Sequence, residues 1–169
     1  LYETLLNVVA KTKNWNQLIN ITDKAYSNKI IKKVEAKENK SIALFEIAKI
    51  KMKSDSSEAI NLIEKAISLK GNFSPYIKLY AQLLFASNNN TKAQKVLKKY
   101  WSQSPSSLLR SSISEVLKEN NINEIEFINR LISKNQNNEE SKKLLIDFAI
   151  YFNNWGIARE NIKGLIGSN

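Results

Sequence analysis

Apolar residues recur along this chain at the three- and four-residue spacing of helix faces, and short polar runs interrupt them. Ala59, Ile63 and Ala66 lie at positions i, i+4 and i+7, so they occupy one face of a helix. The runs Asn88–Asn90 and Asn135–Asn138 carry residues typical of turns. The pattern predicts ten helices, among them helices over residues 2–12, 31–53, 74–87 and 91–103.

A longer pattern returns after 34 residues. Small, apolar, apolar and helix-breaking residues follow one another in the same register in two successive segments. The spacing equals the length of a tetratricopeptide (TPR) helix–turn–helix unit. Small residues inside the pattern predict helix crossings at which a neighbouring helix approaches closely. The first copy is Ala59, Ile63, Ala66 and Gly71, and the second is Ala93, Leu97, Tyr100 and Pro105.

The repeat and the turns together divide the chain into helical hairpins. We predict an all-α, TPR-like α-solenoid of about five antiparallel helix hairpins, forming a single domain over residues 1–169. Before one of the helices, Asp55 and its neighbouring serines provide the side-chain oxygens that cap a helix N-terminus. The hairpins are expected at approximately residues 1–28, 31–70, 73–104, 105–134 and 138–167.

Composition argues against several kinds of functional site. The chain has no Cys and no His, which excludes disulfides, zinc sites built on these residues, and a histidine general base. There is no glycine-rich phosphate loop and no convincing acid–base pair of carboxylates, so we expect no enzymatic activity, no metal and no cofactor. For haem iron, only Met52, tyrosine and lysine side chains could serve as ligands. No apolar run approaches the roughly 20 residues that span a bilayer.

Several short motifs share their order with a known family. They are Gly71-Asn72-Phe73-Ser74-Pro75, Leu79-x-Ala81-x-Leu83-Leu84, Lys92-Ala93-x-Lys95-x-Leu97-x-x-x-Trp101-x-x-x-Pro105 and Asn154-Trp155-x-x-Ala158-Arg159. In this order the chain resembles, over nearly its whole length, the C-terminal TPR region of the HemY-like proteins of Proteobacteria.

The resemblance implies a membrane-associated protein without a catalytic motif. HemY-like proteins carry membrane-spanning segments before their TPR repeats, and Leu1 is not an initiator Met, so we expect this chain to be cut from a longer, membrane-anchored protein. The resemblance places that protein at the bacterial inner membrane, with this domain soluble and on the cytoplasmic side. It also implies an association with haem biosynthesis or with inner-membrane assemblies.

Four residues are candidates for binding a partner in a concave groove. Lys78 and Gln82 occupy positions on a first helix that face the groove in TPR proteins, where they resemble a clamp for a peptide carboxylate. With Lys49 and Lys53 they predict a site for a protein or peptide, and a basic rim would favour an acidic one. The clamp needs matching polar residues on adjacent helices, and Phe45 occupies the position equivalent to Lys78. Ordinary solvation of these side chains is therefore the alternative.

The net charge of +10 is partly concentrated in one lysine-rich segment. This cluster could bind an anionic membrane or nucleic acid, although nucleic acid is disfavoured because the segment lacks interleaved exposed aromatic residues. A solvated face is the plainer interpretation, and gathering of the lysines on one face would argue against it. The sequence leaves self-association open. The cluster consists of Lys29, Lys32, Lys33, Lys37 and Lys40.

The three tryptophans could also contact a partner. Trp15, Trp101 and Trp155 lie beside turns in helical register, which favours packing instead. From these observations we predict a non-catalytic protein–protein interaction scaffold. The alternative is a basic surface that binds nucleic acid or an anionic membrane through the second hairpin.

Overall fold

A computed structural model describes residues 2–120 and 125–166, and within these ranges the chain forms ten α-helices and no strand. The prediction of an all-α fold is confirmed. Leu1, residues 121–124 and residues 167–169 lie outside the described ranges, and so does the start of the first predicted hairpin. The helices are α1 (Tyr2–Lys11), α2 (Trp15–Ser27), α3 (Lys33–Lys51), α4 (Ser56–Lys70), α5 (Ser74–Ala86), α6 (Asn90–Gln103), α7 (Ser107–Glu119), α8 (Ile125–Ile132), α9 (Glu139–Tyr151) and α10 (Trp155–Ile166).

Side-chain caps define several helix starts. The backbone N–H of Glu58 donates to the Asp55 carboxylate at 2.9 Å, which confirms the predicted cap of α4. At the start of α7, the Ser106 hydroxyl accepts from the backbone N–H of Leu109. These oxygens satisfy donors that have no partner inside the helix. The polar residues between the apolar runs therefore act directly as helix starts.

Non-glycine residues in left-handed conformation end four of the helices. Lys13, Lys29, Asn88 and Asn153 have φ values of 55° to 57°. After each of them, the next backbone N–H bonds to a carbonyl five residues earlier, as between Ile30 and Ala25 at 2.8 Å. This is the bond by which a Schellman turn satisfies the last carbonyls of a helix. The turns are therefore defined by backbone hydrogen bonds.

The chain divides into two compact units, Leu1–Leu83 and Leu84–Asn169. In the first unit, α1 contacts α2, α2 contacts α3, and α3 contacts α4. The small residues of the repeat pattern, Ala59 and Ala66 on α4, are completely buried, as are Ala43 and Ala48 on α3. A neighbouring helix can approach an alanine surface closely.

In the second unit, α7 contacts α9, α6 contacts α8, α8 contacts α9, and α9 contacts α10. Trp101 is fully buried, as expected of a packing residue, and its indole N–H donates to Ser141 at 3.0 Å. Arg110 joins α7 to α9 by ion pairs with Glu140 at 2.9 Å and Asp147 at 2.5 Å. Burial lowers the pKa of Arg110, but hydrogen bonds and charges from these carboxylates outweigh it and leave the pKa raised.

Some large apolar side chains of the helices lie in solvent. Leu108 is 72% exposed whereas Leu109 is buried, because consecutive helical residues point about 100° apart and only one of them can face the core. Val34 is 75% exposed in the first turn of α3. Tyr26 and Leu5 are also exposed, so several apolar residues of the first unit's helices lie outside its core.

Candidate functional site

In residues 2–120 and 125–166, no three acidic side chains gather closely enough to hold a metal ion. Over the same ranges, no helix combines the length and the apolar character that crossing a bilayer requires. The two candidate sites predicted from the sequence are surfaces, and both lie in the first unit.

Helix α5 places Lys78 and Gln82 on its one accessible stripe between Tyr76 and Leu83. These two residues are one helical turn apart, so they share a face of the helix. Both are half-buried. All other side chains in this stretch are buried, namely Tyr76, Ile77, Leu79, Tyr80, Ala81 and Leu83. Any partner that reaches this part of α5 would therefore meet Lys78 and Gln82.

Helix α3 lies directly beside α5. The Ser41 and Tyr76 hydroxyls are 3.2 Å apart, and the rings of Phe45 and Tyr76 are in contact, with centroids 4.8 Å apart and planes tilted by 35°. Burial raises the pKa of Tyr76, and the hydrogen bond with Ser41 only partly opposes this. One turn further along α5, Tyr80 donates to Glu64 of α4. These contacts fix α5 against α3 and α4.

The second pair of groove candidates lies on and just after α3. Lys49 follows Phe45 by one turn, its Nζ lies 5.3 Å from the centre of the Phe45 ring, and it forms an ion pair with Glu46 at 3.0 Å. Lys53 is exposed in the turn that follows α3. Next to Lys49, Ile50 is 64% exposed. We call the residues Lys49, Ile50, Lys53, Lys78 and Gln82 the α3–α5 face, which combines positive charge with apolar area.

The lysine cluster gathers at the connection between α2 and α3. Among the residues the structure describes, four of its members form no ion pair, whereas Lys40 is held by Asp23 at 2.8 Å. Lys32 is the N-cap residue of α3, and Lys33 is its first residue. Positive charge at a helix N-terminus opposes the helix dipole, so a gain in helix stability does not account for lysines at these positions. The unpaired members are Lys29, Lys32, Lys33 and Lys37.

Exposed apolar side chains interleave with these lysines, which the sequence reasoning missed. Ile30 is 61% exposed, and Val34 and Tyr26 are exposed on either side of it. A concavity of about 650 Å³ is lined by Tyr26, Ser27 and residues 29–33. The doublet Ile30-Ile31 was the available signal, because only one of two adjacent side chains can face the core at a helix end.

A third exposed group lies at the start of α10. Trp155 is 55% exposed, so the expectation that it packs in the core is wrong. It begins its helix directly after the left-handed turn at Asn153, one turn before the buried Ala158. Trp15, at the corresponding position of α2, is half-buried and packs against the cluster of Val9, Leu18 and Ala43.

Comparison with known proteins assigns no family. No protein-family model matches the chain, and no curated protein matches it. The resemblance to HemY-like proteins therefore stays a prediction, and the helical fold with its two surfaces is the basis for any functional argument.

Proposed function

We propose that this chain is a TPR-like helical-repeat module that binds a protein or peptide partner and performs no catalysis. The 34-residue pattern supports the repeat, because Ala59 and Ala93 are both fully buried, as are Ile63 and Leu97. Contacts of α7 with α9 and of α6 with α8 also support it, since stacked hairpins bring equivalent helices together.

The α3–α5 face is the binding surface in this proposal. The observation that carries the proposal is the nearly complete burial of α5 around Lys78 and Gln82, which leaves one accessible polar stripe on this part of the helix. Lysine ammonium groups there would pair with acidic side chains or a carboxyl terminus, and Ile50 would cover apolar partner area. The partner we favour is therefore an acidic peptide segment that also carries apolar residues.

The resemblance to HemY-like proteins extends the proposal to a cellular setting. A module of this kind would serve inner-membrane assemblies, including those of haem biosynthesis, from the cytoplasmic side. Membrane-spanning segments outside this chain would hold it there. No cofactor or metal enters the proposal.

Affinity capture from the source cell's lysate tests the scaffold function. The bait is compared with the variants Lys78→Glu and Lys95→Glu, because Lys95 is an exposed lysine on α6 and serves as the matched control. Nuclease and detergent remove partners held through nucleic acid or lipid. We expect a defined protein that is lost only with Lys78→Glu and that binds the purified wild-type chain directly. Equal retention by both variants would reject the α3–α5 face.

The basic surface supports a second candidate function, the binding of a polyanion. The observation in its favour is that four lysines without an ion pair among the described residues gather between the end of α2 and the second turn of α3. Binding through such a surface should weaken steeply with added salt, because it depends on release of counterions. Replacing Lys32 and Lys33 by glutamine should reduce that dependence, and an unchanged salt slope would reject this function.

A further inference from the structure

We infer that the α2–α3 connection is a docking surface for anionic phospholipid at a membrane face. The surface consists of Lys29, Ile30, Lys32, Lys33, Val34 and Lys37, and we call it the α2–α3 surface. The inference rests on the second candidate function above and names its ligand. It does not depend on the α3–α5 face.

The backbone of the connection holds its side chains in defined directions. Ile31 is buried in a cluster with Ala25 and Ala36, which anchors the middle of the connection. On one side, the Ile30 N–H bonds to the Ala25 carbonyl at 2.8 Å, and on the other the Ala36 N–H bonds to the Lys32 carbonyl at 3.0 Å. The exposure of Ile30 is therefore fixed by its anchored neighbour.

Two aliphatic side chains extend into solvent here, Ile30 from the anchored connection and Val34 from the first turn of α3. Ile30 and Val34 are the most exposed large apolar residues near it, and Tyr26 contributes part of its ring. Large apolar side chains gain free energy on leaving water, so a surface that exposes several together is suited to binding an apolar phase. Insertion of Ile30 and Val34 at the level of lipid headgroups would bury them without moving the core.

The charges around these side chains match an anionic surface. Residues 29–40 contain five lysines and two glutamates, Glu35 and Glu38. Lys70 forms an ion pair with Glu38 at 2.5 Å, which offsets one of these carboxylates. Juxtamembrane lysines of this kind are attracted to the negative potential of acidic lipids. Lysine stems can also lie along the apolar boundary while their ammonium groups remain hydrated.

The mixed lining of the adjacent concavity favours lipid over other anions. Lysines and apolar side chains line the same open space of about 650 Å³. A phospholipid offers an anionic phosphate directly beside an acyl chain, so both kinds of lining residue gain a partner. Single-stranded nucleic acid offers phosphate and aromatic bases, and its usual protein partners are stacked aromatic rings. Ile30 and Val34 cannot stack in that way.

Vesicle flotation with two double variants tests this inference. The vesicles contain phosphatidylcholine alone or phosphatidylcholine mixed with phosphatidylglycerol. One variant is Ile30→Ser with Val34→Ser, which changes apolar area without changing charge. The other is Lys32→Gln with Lys33→Gln. Leu108→Ser is the matched apolar control because Leu108 is equally exposed on α7, and Lys95→Gln with Lys98→Gln is the charge control.

We expect the wild-type chain to bind the anionic vesicles and not the neutral ones. The serine variant should lose roughly tenfold in vesicle affinity through lost apolar burial, and the glutamine variant about tenfold or more through lost attraction to acidic lipid. Both controls should bind like the wild type. Circular dichroism verifies that every variant keeps its helices, and Val34→Ser alone replaces the double serine variant if Ile30→Ser disturbs them.

Failure of the lipid inference and failure of the basic surface give different results. An oligothymidylate and polyglutamate are measured in parallel as competing polyanions. If the glutamine variant weakens polyanion binding but the serine variant binds vesicles like the wild type, the basic surface stands and the lipid inference is wrong. Absence of vesicle binding, or tighter binding to polyglutamate than to vesicles, also overturns it. If the glutamine variant changes no binding, both proposals fail.

Discussion

The buried hydrogen bond between Trp101 and Ser141 gives a quantitative test of how the second unit is held together. It joins α6 to α9 at 3.0 Å, and both residues are fully buried. Ser141→Ala would leave the indole N–H without a partner, which should cost about 1–3 kcal/mol of unfolding free energy. Trp101→Phe would likewise leave the buried Ser141 hydroxyl without its indole partner. It would also open a cavity, which should cost about 1 kcal/mol more.

The double variant separates the hydrogen bond from the packing around it. With both groups replaced, neither leaves a buried polar atom, so the combined loss should fall about 1–3 kcal/mol below the sum of the single losses. Ser114→Ala is the matched control. The Ser114 hydroxyl is inaccessible and has no hydrogen-bond partner among the described residues. Its removal should be neutral or stabilise the fold by up to about 1 kcal/mol.

Urea unfolding followed by far-ultraviolet circular dichroism measures all four variants without relying on tryptophan fluorescence. The slope of unfolding free energy against urea concentration should be the same for all four variants, since none of them changes the surface exposed on unfolding. The reasoning would be refuted if Ser141→Ala cost no more than Ser114→Ala. It would equally fail if the double variant were additive to within about 0.5 kcal/mol, because unconnected sites behave that way.

Three further changes test the helix junctions and the buried phenol. Arg110→Lys should lower the unfolding free energy by about 1 kcal/mol, because lysine cannot bind Glu140 and Asp147 through separate nitrogens. Thermal unfolding measures this loss, and an unchanged stability would contradict the bridging role of Arg110. Lys13→Gly should raise the unfolding free energy by up to about 1 kcal/mol, because Lys13 has a positive φ that glycine adopts without strain. A lower unfolding free energy in urea would contradict this reasoning. Burial raises the pKa of Tyr76, which means that the folded state favours the neutral phenol. The resulting contribution to stability is fully present below about pH 10 and is lost as pH rises through the folded-state pKa. Tyr76→Phe should reduce the alkaline loss of stability measured by urea unfolding, and an unchanged loss would exclude this phenol as its source.

The placement of the candidate groove residues shows how far sequence patterns can be taken. Spacing alone puts Lys78 and Gln82 on one face of a helix, and the structure leaves that face accessible. It does not reveal that Tyr76 would meet Ser41 and Phe45 and bring α3 alongside. Those contacts join residues more than 30 positions apart, so no local pattern contains them.

The sequence by itself determined the helices, their turns and the alanine crossings, because helical periodicity and capping depend on residues within a few positions of one another. Only the tertiary structure decided which apolar residues remain in solvent. Ile31 enters the core and Ile30 does not, because the cluster of Ala25 and Ala36 admits one side chain at that helix end. It also decided which lysines stay unpaired, since Lys40 meets Asp23 only when α2 packs on α3. Exposure and pairing depend on what distant segments cover, and both candidate surfaces arise at that level.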